Sequence, residues 1–139
     1  MKQAQSCAAL QLDNQLCFAL HSTSLLMTKA YKPLLQSIGL TYPQYLVMLV
    51  LWEWHAAPPA QATVKALGER LLLDSGTLTP LLKRLESEGL LQRNRSREDE
   101  RVVLVQLTDK GRALQQQAKE VPQCILKASG RSLEQLQQL

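Results

Sequence analysis

A chain of 139 residues, of which 45% are hydrophobic, is long enough for one globular domain with its own core. Its formal net charge of +4 favours an anionic partner. No apolar run approaches the length that spans a membrane, and the start lacks a signal-peptide pattern, so we expect a cytoplasmic protein with no membrane partner. The three scattered cysteines are too few for a disulfide scaffold and fit a reducing compartment.

A long helix is predicted near the start of the chain. Apolar residues between Leu12 and Leu26 recur at helical spacing and cover more than one stripe of the helix surface. Such a helix must be buried on several sides, which suggests contact with a partner as well as with the core. The helical pattern weakens at Lys32 and Pro33.

Two further helices follow. Thr41 and Gln44 have the spacing of a capping box, which opens an almost wholly apolar helix over about residues 43–54. A loop is predicted over residues 55–63, and a short amphipathic helix over residues 64–72. The residues expected to face inward from that short helix are Val64, Leu67, Leu71 and Leu72.

The stretch over residues 74–89 predicts another helix, joined to the previous one by the short turn 73–76. Two helices with so short a connection indicate a helix-turn-helix motif. Gly89 supplies a C-cap. The apolar face of this helix consists of Leu78, Leu81, Leu82 and Leu85.

The start of this helix is predicted from its polar residues. Asp74 or Ser75 can cap it by accepting a hydrogen bond from a free backbone N–H. Because Pro80 has no N–H, it costs least in a first turn, which predicts a helix start near Gly76 or Thr77.

Small polar and basic residues lie away from the leucine face, close to the positive end of the helix dipole. This profile is typical of a recognition helix that points its amino end towards phosphates and base edges. An ordinary amphipathic helix with a solvated basic edge fits this segment alone equally well. The predicted DNA contacts on this helix are Ser75, Gly76, Thr77, Thr79, Pro80, Lys83 and Arg84.

After Gly89 the pattern changes from helical to alternating. Residues 90–95 and 101–107 predict two strands, joined by the polar loop 96–100. A hairpin directly after a recognition helix is the wing of a winged helix-turn-helix. Half of the eight arginines fall within nine residues of this hairpin, namely Arg93, Arg95, Arg97 and Arg101.

Arginines on a ribbon beside a recognition helix fit a DNA minor groove, whose narrow tracts concentrate negative potential. Arg95, Arg97 and Arg101 are therefore further predicted DNA contacts. Asp99 opposes their charge and can hold Arg101 in a fixed position, which reduces the entropy lost on binding. A merely solvated charged face is the alternative for these residues.

The rest of the chain predicts helices again. Thr108 caps a helix over residues 109–118 and beyond, and Pro122 interrupts it. Ser132 and Gln135 open a last helix. The predicted fold class is mainly α, of the α+β type: a single domain over residues 1–139 that contains a winged helix-turn-helix flanked by terminal helices.

Several segments resemble a known family. Asp99-x-Arg101, followed by Leu107-Thr108 and then Gly111, resembles the wing signature of the MarR family of bacterial repressors. Upstream segments match the OhrR branch of that family, the organic-hydroperoxide-sensing repressors. These segments read LDNQLCF, MTK, YKPLL, LTYPQY and LDSGTLTP. The resemblance covers roughly residues 10–125.

The resemblance implies a symmetric dimer that binds a pseudo-palindromic double-stranded operator. Dimerisation helices would occupy about residues 10–40 and 109–139, and the DNA-binding lobe about residues 41–108. The resemblance also assigns the site residues: the sensing cysteine falls on Cys17, its supporting tyrosines on Tyr31 and Tyr42, and the resolving cysteine of two-cysteine members on Cys124, after a Val-Pro step. His21 stands where the family has a third tyrosine.

The implied chemistry needs a thiolate, which attacks a peroxide oxygen and becomes a sulfenic acid. A second thiol then converts the sulfenic acid to a disulfide, in the family a bond between subunits. His21 can favour the thiolate when protonated and can donate a hydrogen bond when neutral. Judged without the family, Cys17 would more often be a small buried hydrophobe. We assign Cys7 no role.

Other classes of function have weaker support. The sequence has no close pair of cysteines that would suggest a metal site and no glycine-rich phosphate loop that would suggest a nucleotide cofactor. It also lacks a base with an oxyanion site, which an enzyme of nucleophilic catalysis would need. Two rivals remain open. One is a MarR-type regulator gated by a non-covalent aromatic ligand between the dimer lobe and the DNA lobe. The other is a winged-helix module that binds a protein.

Overall fold

The structure is a computed structural model that describes residues 7–139, so the start of the predicted domain at residues 1–6 lies outside the described residues. Helices dominate, with one two-stranded antiparallel sheet, as the mainly α fold class predicts. Two short 3-10 turns, Ala8–Leu10 and Leu12–Asn14, come first. The helices are α1 (Leu16–Gln36), α2 (Tyr42–Ala56), α3 (Val64–Leu71), α4 (Ser75–Ser87), α5 (Asp109–Ala118), α6 (Glu120–Ser129) and α7 (Leu133–Gln137), and the strands are β1 (Leu91–Arg95) and β2 (Val103–Leu107).

Helix α1 continues through Pro33, although the helical pattern of the sequence weakens there. Proline removes one backbone hydrogen bond from a helix interior, a cost that packing can offset. Here Leu35 in the last turn is buried, and Ile38 and Leu40 just beyond the helix join the same core. The carboxyl end of α1 is therefore anchored in the core.

Helix α2 lies at the centre of the core. The predicted capping box is confirmed: the Gln44 N–H donates to Thr41 Oγ1 at 3.4 Å, and the Thr41 N–H donates to Gln44 Oε1 at 3.0 Å. The helix runs to Ala56, two residues past the predicted end. Val47, Met48 and further residues on several sides of the helix are buried. A helix buried in this way is held by packing on several faces.

The turn of the helix-turn-helix corrects the predicted inward position of Leu72. Leu72 takes a left-handed conformation with φ of 56° and is 92% exposed. This residue ends α3, because the Leu73 N–H then bonds back to the carbonyl of Gly68 at 2.9 Å. Leu67 is buried as predicted, and Val64 and Leu71 pack partly against the core.

Helix α4 begins at Ser75, slightly earlier than predicted, with Asp74 as its N-cap. Pro80 is therefore the sixth residue of the helix and not part of its first turn, which corrects the prediction. Its missing N–H leaves the Gly76 carbonyl without the usual helical donor. Burial of the leucine face offsets this cost, since Leu78, Leu82 and Leu85 are all buried.

Gly89 takes a left-handed conformation, with φ of 75°, just after α4, as its predicted role requires. The chain then forms the hairpin, in which Leu91 pairs with Leu107 and Arg95 with Val103. The segment before α3 joins the edge of this sheet, because the Val105 N–H donates to the Ala62 carbonyl at 2.8 Å. The start of α3 is thus fixed beside the wing.

The carboxyl-terminal helices follow the predicted signals. Thr108 caps α5 through the Gly111 N–H, and Ser132 forms a capping box with Gln135 at the start of α7. The helix breaks between Ala118 and Glu120. Pro122 lies in the first turn of α6, where a backbone N–H would have no helical acceptor and its absence costs little. Within residues 7–139, no helix is both long and apolar enough to cross a membrane.

Gly111 is required by a close approach between α5 and the backbone of Leu90, the residue just before β1. A Cβ at this position would collide with the carbonyl oxygen of Leu90. The Gly111 carbonyl also accepts a hydrogen bond from the indole N–H of Trp52 at 2.9 Å, inside the core. Both contacts hold the start of α5 against its neighbours.

We expect Gly111→Ala to lower the free energy of unfolding by about 3 kcal/mol, because the added methyl group forces the backbone of α5 away from Leu90. Ala113→Gly on the exposed side of the same helix serves as the comparison, with an expected loss of about 1 kcal/mol from helix propensity alone. Urea denaturation measures both. Equal losses in the two variants would contradict a close approach at Gly111.

Candidate DNA interface and thiol site

The polar side of α4 is free to meet a ligand. Its leucine face is buried, whereas six of the seven predicted contacts on the helix are exposed and Thr79 is partly buried. The structure therefore brings these residues to one surface. The exposed residues are Ser75, Gly76, Thr77, Pro80, Lys83 and Arg84.

The amino end of α4 is fixed by Asp74. Its carboxylate accepts a hydrogen bond from the Thr77 N–H at 2.8 Å, and this contact holds the pKa of Asp74 below its ordinary value of 3.8. The carboxylate therefore stays ionised at the positive end of the helix dipole. A Cβ at Gly76 would lie 3.3 Å from Asp74 Oδ1, in tight contact with the capping carboxylate.

Lys83 and Arg84 differ in their surroundings. The Arg84 Nε donates to Glu88 Oε1 at 2.8 Å, one turn further along α4. Lys83 has no ion pair or hydrogen bond among the described residues. Among the described residues Lys83 is thus an unpaired cation, and Arg84 is an exposed cation paired with Glu88.

The arginines of the wing fall into two groups. Arg93 turns back to α4, where its guanidinium and backbone N–H donate to the Glu86 carboxylate, the shortest of these contacts being 2.8 Å. These hydrogen bonds hold the pKa of Glu86 below its ordinary value of 4.5. We therefore interpret the Glu86–Arg93 pair as a latch that fixes the wing relative to the recognition helix.

The three arginines predicted to meet DNA are all exposed on the hairpin. Arg95 donates to the carbonyl of Glu100 at 3.1 Å, and Arg101 donates to both oxygens of Asp99. The predicted pairing of Asp99 with Arg101 is confirmed, and hydrogen bonds from Arg101 hold the pKa of Asp99 below its ordinary value of 3.8. Arg97 has no polar partner in the part of the chain that the structure describes.

The three cysteines are free and exposed in the single chain. Cys17 lies in the first turn of α1 and is exposed in the single chain. His21 follows one turn later and is also exposed. Cys124 lies on α6, two residues after Pro122. Both sulfurs are therefore open to solvent in the single chain.

Tyr31 and Tyr42 do come together, with ring centroids 4.7 Å apart. Tyr45 completes a cluster, at 5.9 Å from Tyr31 and 6.5 Å from Tyr42, and was not predicted although it lies one turn after Tyr42 on the same helix. Burial, and then the neighbouring Tyr42, raises the pKa of Tyr31. Burial raises the pKa of Tyr45 to about 12. These two phenols remain protonated and can donate hydrogen bonds.

The tyrosines do not meet the cysteine of their own chain. Cys17 and Tyr31 both belong to α1. At a rise of 1.5 Å per residue, the helix between them is about 21 Å long. A tyrosine–thiol contact therefore requires a second chain.

The amino-terminal half of α1 exposes a large apolar surface. Isolated exposed leucines are normal, but a helix that leaves apolar side chains exposed on more than one side presents a surface that another molecule covers. The exposed residues on this helix are Leu16, Phe18, Leu20, Leu25, Leu26 and Met27. Cys17 lies at the start of this face.

A cavity of about 610 Å³ lies between α1, the start of α2 and the end of α4. Its lining combines cations with an aromatic ring, because Lys29, Lys32 and Arg84 face it together with Tyr42. Glu88 contributes the opposing charge. The cavity thus lies between α1, which carries Cys17, and the end of α4.

Known proteins resemble this chain over most of its length. The family model of the transcriptional regulator SarA/Rot matches residues 29–118. The organic hydroperoxide resistance transcriptional regulator of Bacillus subtilis (strain 168) is 53% identical over 130 residues, which span 94% of this chain and 85% of that protein.

Solved structures of AbfR, a protein of Staphylococcus epidermidis, share the fold. Reduced AbfR bound to DNA is 42% identical, with a TM-score of 0.69, over 79% of this chain and 76% of that one. Disulfide-formed AbfR is 39% identical, with a TM-score of 0.67, over 91% of this chain and 90% of that one.

We expect Glu86→Gln to lower the free energy of unfolding by about 1 kcal/mol at pH 7, since the latch is still partly in water. Because the pKa of Glu86 is lowered, its contribution is complete above its ordinary value of 4.5 and is lost as the pH falls through the lowered pKa. The difference in the free energy of unfolding between wild type and variant should therefore disappear at acidic pH. Urea unfolding across this pH range measures it, with Glu98→Gln on the exposed wing loop as control. A gap that persists at low pH would argue against the latch.

Proposed function

This chain belongs to the MarR family of transcriptional regulators, in its branch of organic-hydroperoxide sensors, and from this we propose that it is a redox-controlled repressor. As a homodimer it binds double-stranded DNA, and oxidation by an organic hydroperoxide releases it. One observation carries the proposal: an exposed recognition helix and arginine wing lie in the same chain as an exposed thiol on an uncovered apolar helix.

For DNA binding, each subunit would place residues 76–84 in a major groove and its wing in the flanking minor groove. Thr77 and Thr79 would meet bases or backbone near the helix start. Lys83 and Arg84 would supply phosphate or guanine contacts. The twofold symmetry of a homodimer implies a pseudo-palindromic operator. The exposure of the polar side of α4 supports this arrangement.

Dimerisation would use residues of about 10–40 and 109–139, and the lobe over about 41–108 would bind DNA. The uncovered apolar face of α1 supports this division, because burying it in a second copy removes it from water. The distance along α1 between Cys17 and Tyr31 supports a sensing site that is formed by residues of both subunits. Each Cys17 would accept hydrogen bonds from the tyrosines of the other subunit.

In the sensing step, the Cys17 thiolate attacks one oxygen of the hydroperoxide and the O–O bond breaks. An alcohol leaves after taking a proton from solvent, and the sulfur becomes a sulfenic acid. The Cys124 thiol then attacks this sulfur, so that a disulfide forms and water leaves. The oxidised dimer would hold its two recognition helices at the wrong spacing. A coupling of about 3 kcal/mol between the two sites changes operator affinity more than a hundredfold.

This chemistry consumes one peroxide per site and signals without turnover, so we propose a regulator that is not an enzyme. It needs no metal or organic cofactor. The cytoplasm is the proposed location, because a repressor must reach the chromosome and a reducing compartment keeps the sensing thiol ready.

The cavity of about 610 Å³ supports a second candidate, a regulator gated by a non-covalent aromatic ligand. The cations Lys29, Lys32 and Arg84 suit a carboxylate or phenolate on such a ligand. Cumene hydroperoxide separates the two mechanisms. If it still releases a Cys17→Ser dimer from DNA, the non-covalent mechanism holds.

In wild-type protein we expect hydroperoxide to produce a disulfide-linked dimer and to abolish operator binding in parallel. Cys17→Ser should lose both responses, because no sulfenic acid forms. Cys124→Ser should form no linked dimer and should over-oxidise. Non-reducing electrophoresis beside a DNA-binding assay measures both responses, with Cys7→Ser as matched control. Unchanged release in Cys17→Ser would refute the sensing role of this cysteine.

Replacement of Arg97 or Arg101 by alanine should weaken DNA binding and flatten its dependence on salt, because a phosphate contact releases counterions. The expected change in the slope of log K against log salt is about 0.9 for each phosphate that the variant no longer neutralises. Lys119→Ala, an exposed cation at the end of α5, should retain the wild-type slope. Salt titrations of operator affinity measure this slope. An unchanged slope in both arginine variants would contradict a DNA contact by the wing.

A further inference from the structure

A cleft of about 470 Å³ separates the recognition helix from the wing. Three elements form its walls: the start of α3, the start of α4, and the wing where its loop leads into β2. Lys65, Ser75 and Arg101 line it, one from each element. Of these, only Lys65 has no place in the DNA interface described above.

The walls of this cleft are held in fixed positions. Thr63, which caps α3, forms a bridge with Leu104 of β2, so the start of α3 is attached to the wing sheet. At the other wall, a Cβ on Gly68 would lie 2.9 Å from the carbonyl oxygen of Leu73, so α3 lies against the turn that leads into α4. The cleft is therefore a feature of the folded lobe and needs no rearrangement to form.

Duplex geometry determines what must pass through this cleft when DNA is bound. A major groove and the adjoining minor groove are separated by one sugar–phosphate strand. In the proposed complex α4 occupies the first groove and the wing occupies the second. The strand between them must then cross the space between α4 and the wing.

We infer that this cleft binds a phosphate group of the operator backbone and that Lys65 is a DNA-contacting residue. This inference rests on the proposed function, because it takes the duplex to be bound by α4 and the wing. Lys65 approaches the phosphate from α3 and Arg101 approaches it from the wing, while the Ser75 hydroxyl can donate a hydrogen bond. Contacts of this kind fix the register of a protein on the duplex without reading its sequence.

Charge at the cleft supports this occupant. The side chain of Arg101 is 91% exposed even while it is paired with Asp99, so its charge is open to a ligand. Lys65 is exposed and has no ion pair among the described residues. Glu69 also lines the cleft, one turn further along α3 from Lys65. This carboxylate repels a phosphate, and the anion therefore binds at the Lys65 end.

The chain contains a matched control on the same helix. Arg70 is also an exposed cation of α3, but it pairs with Glu53 of α2 at 3.4 Å and so faces away from the cleft. Arg70→Ala removes the same charge from the same helix. A general effect of charge or of helix stability would appear in both variants, whereas a phosphate contact would appear only in Lys65→Ala.

The test uses the full-length dimer and a duplex that the wild-type protein selects from a random pool. Lys65→Ala should reduce the salt slope by about 0.9 per phosphate, which is nearly 2 for the two subunits of the dimer. Lys65→Arg should restore most of the slope, and Arg70→Ala should leave it unchanged. Ethylation of one backbone phosphate per half-site should weaken binding of the wild type and have no further effect on Lys65→Ala.

An unchanged salt slope and an unchanged ethylation pattern in Lys65→Ala would overturn the inference while leaving the DNA-binding function intact. Equal losses in Lys65→Ala and Arg70→Ala would also overturn it, since a general charge effect explains them. Failure of the wild-type protein to select any duplex would instead refute the proposed function, and the inference with it.

Discussion

Burial of the leucine face of α4 determines which side of this helix is exposed to a partner. Leu78, Leu82 and Leu85 are almost completely buried, and each contributes about 2 kcal/mol when it leaves water. Any rotation of α4 about its axis would expose at least one of them. The polar side, with the amino end capped by Asp74, is therefore held outward by the core itself. The Glu86–Arg93 latch then fixes the wing relative to the same helix.

Helix α1 has two halves with different roles. Its carboxyl-terminal half belongs to the core through Leu35, and its amino-terminal half leaves Leu16 and Leu20 in water. Cys17 lies at the start of this uncovered half. The sulfur thus lies on a surface that one chain cannot bury alone. In the proposed function, oxidation of this sulfur and assembly of the dimer involve the same interface, so oxidation would change the arrangement of the two subunits directly.

The cavity beside Lys29 and Lys32 lies between the helix that carries Cys17 and the proposed recognition helix. One wall belongs to α1, which carries the thiol, and another to the end of α4, where Arg84 pairs with Glu88. A movement of α1 relative to α4 would first change the shape of this cavity. In the proposed function, packed helices that shift as rigid units would transmit a small displacement at the dimer interface to α4.

Much of the fold was predictable because its signals are local. The capping box at Thr41 and Gln44, the cap at Thr108 and the C-cap at Gly89 each depend on hydrogen bonds or conformations within a few residues. Leucine spacing likewise predicted the buried face of α4. The Asp99–Arg101 pair spans only two residues, and it too was visible in the sequence.

Contacts between distant segments were decided by tertiary packing. Arg93 is one of four arginines in the same run, yet only the folded hairpin places it against Glu86. Tyr45 joins the other two tyrosines because α1 packs across α2. Leu72 has a helical apolar pattern, but the turn into α4 requires it to leave the helix and face water. The sequence by itself determined the elements and their caps, since these depend on neighbours along the chain. The tertiary structure decided which side chains meet, and it separated Cys17 from Tyr31 by the length of a continuous helix.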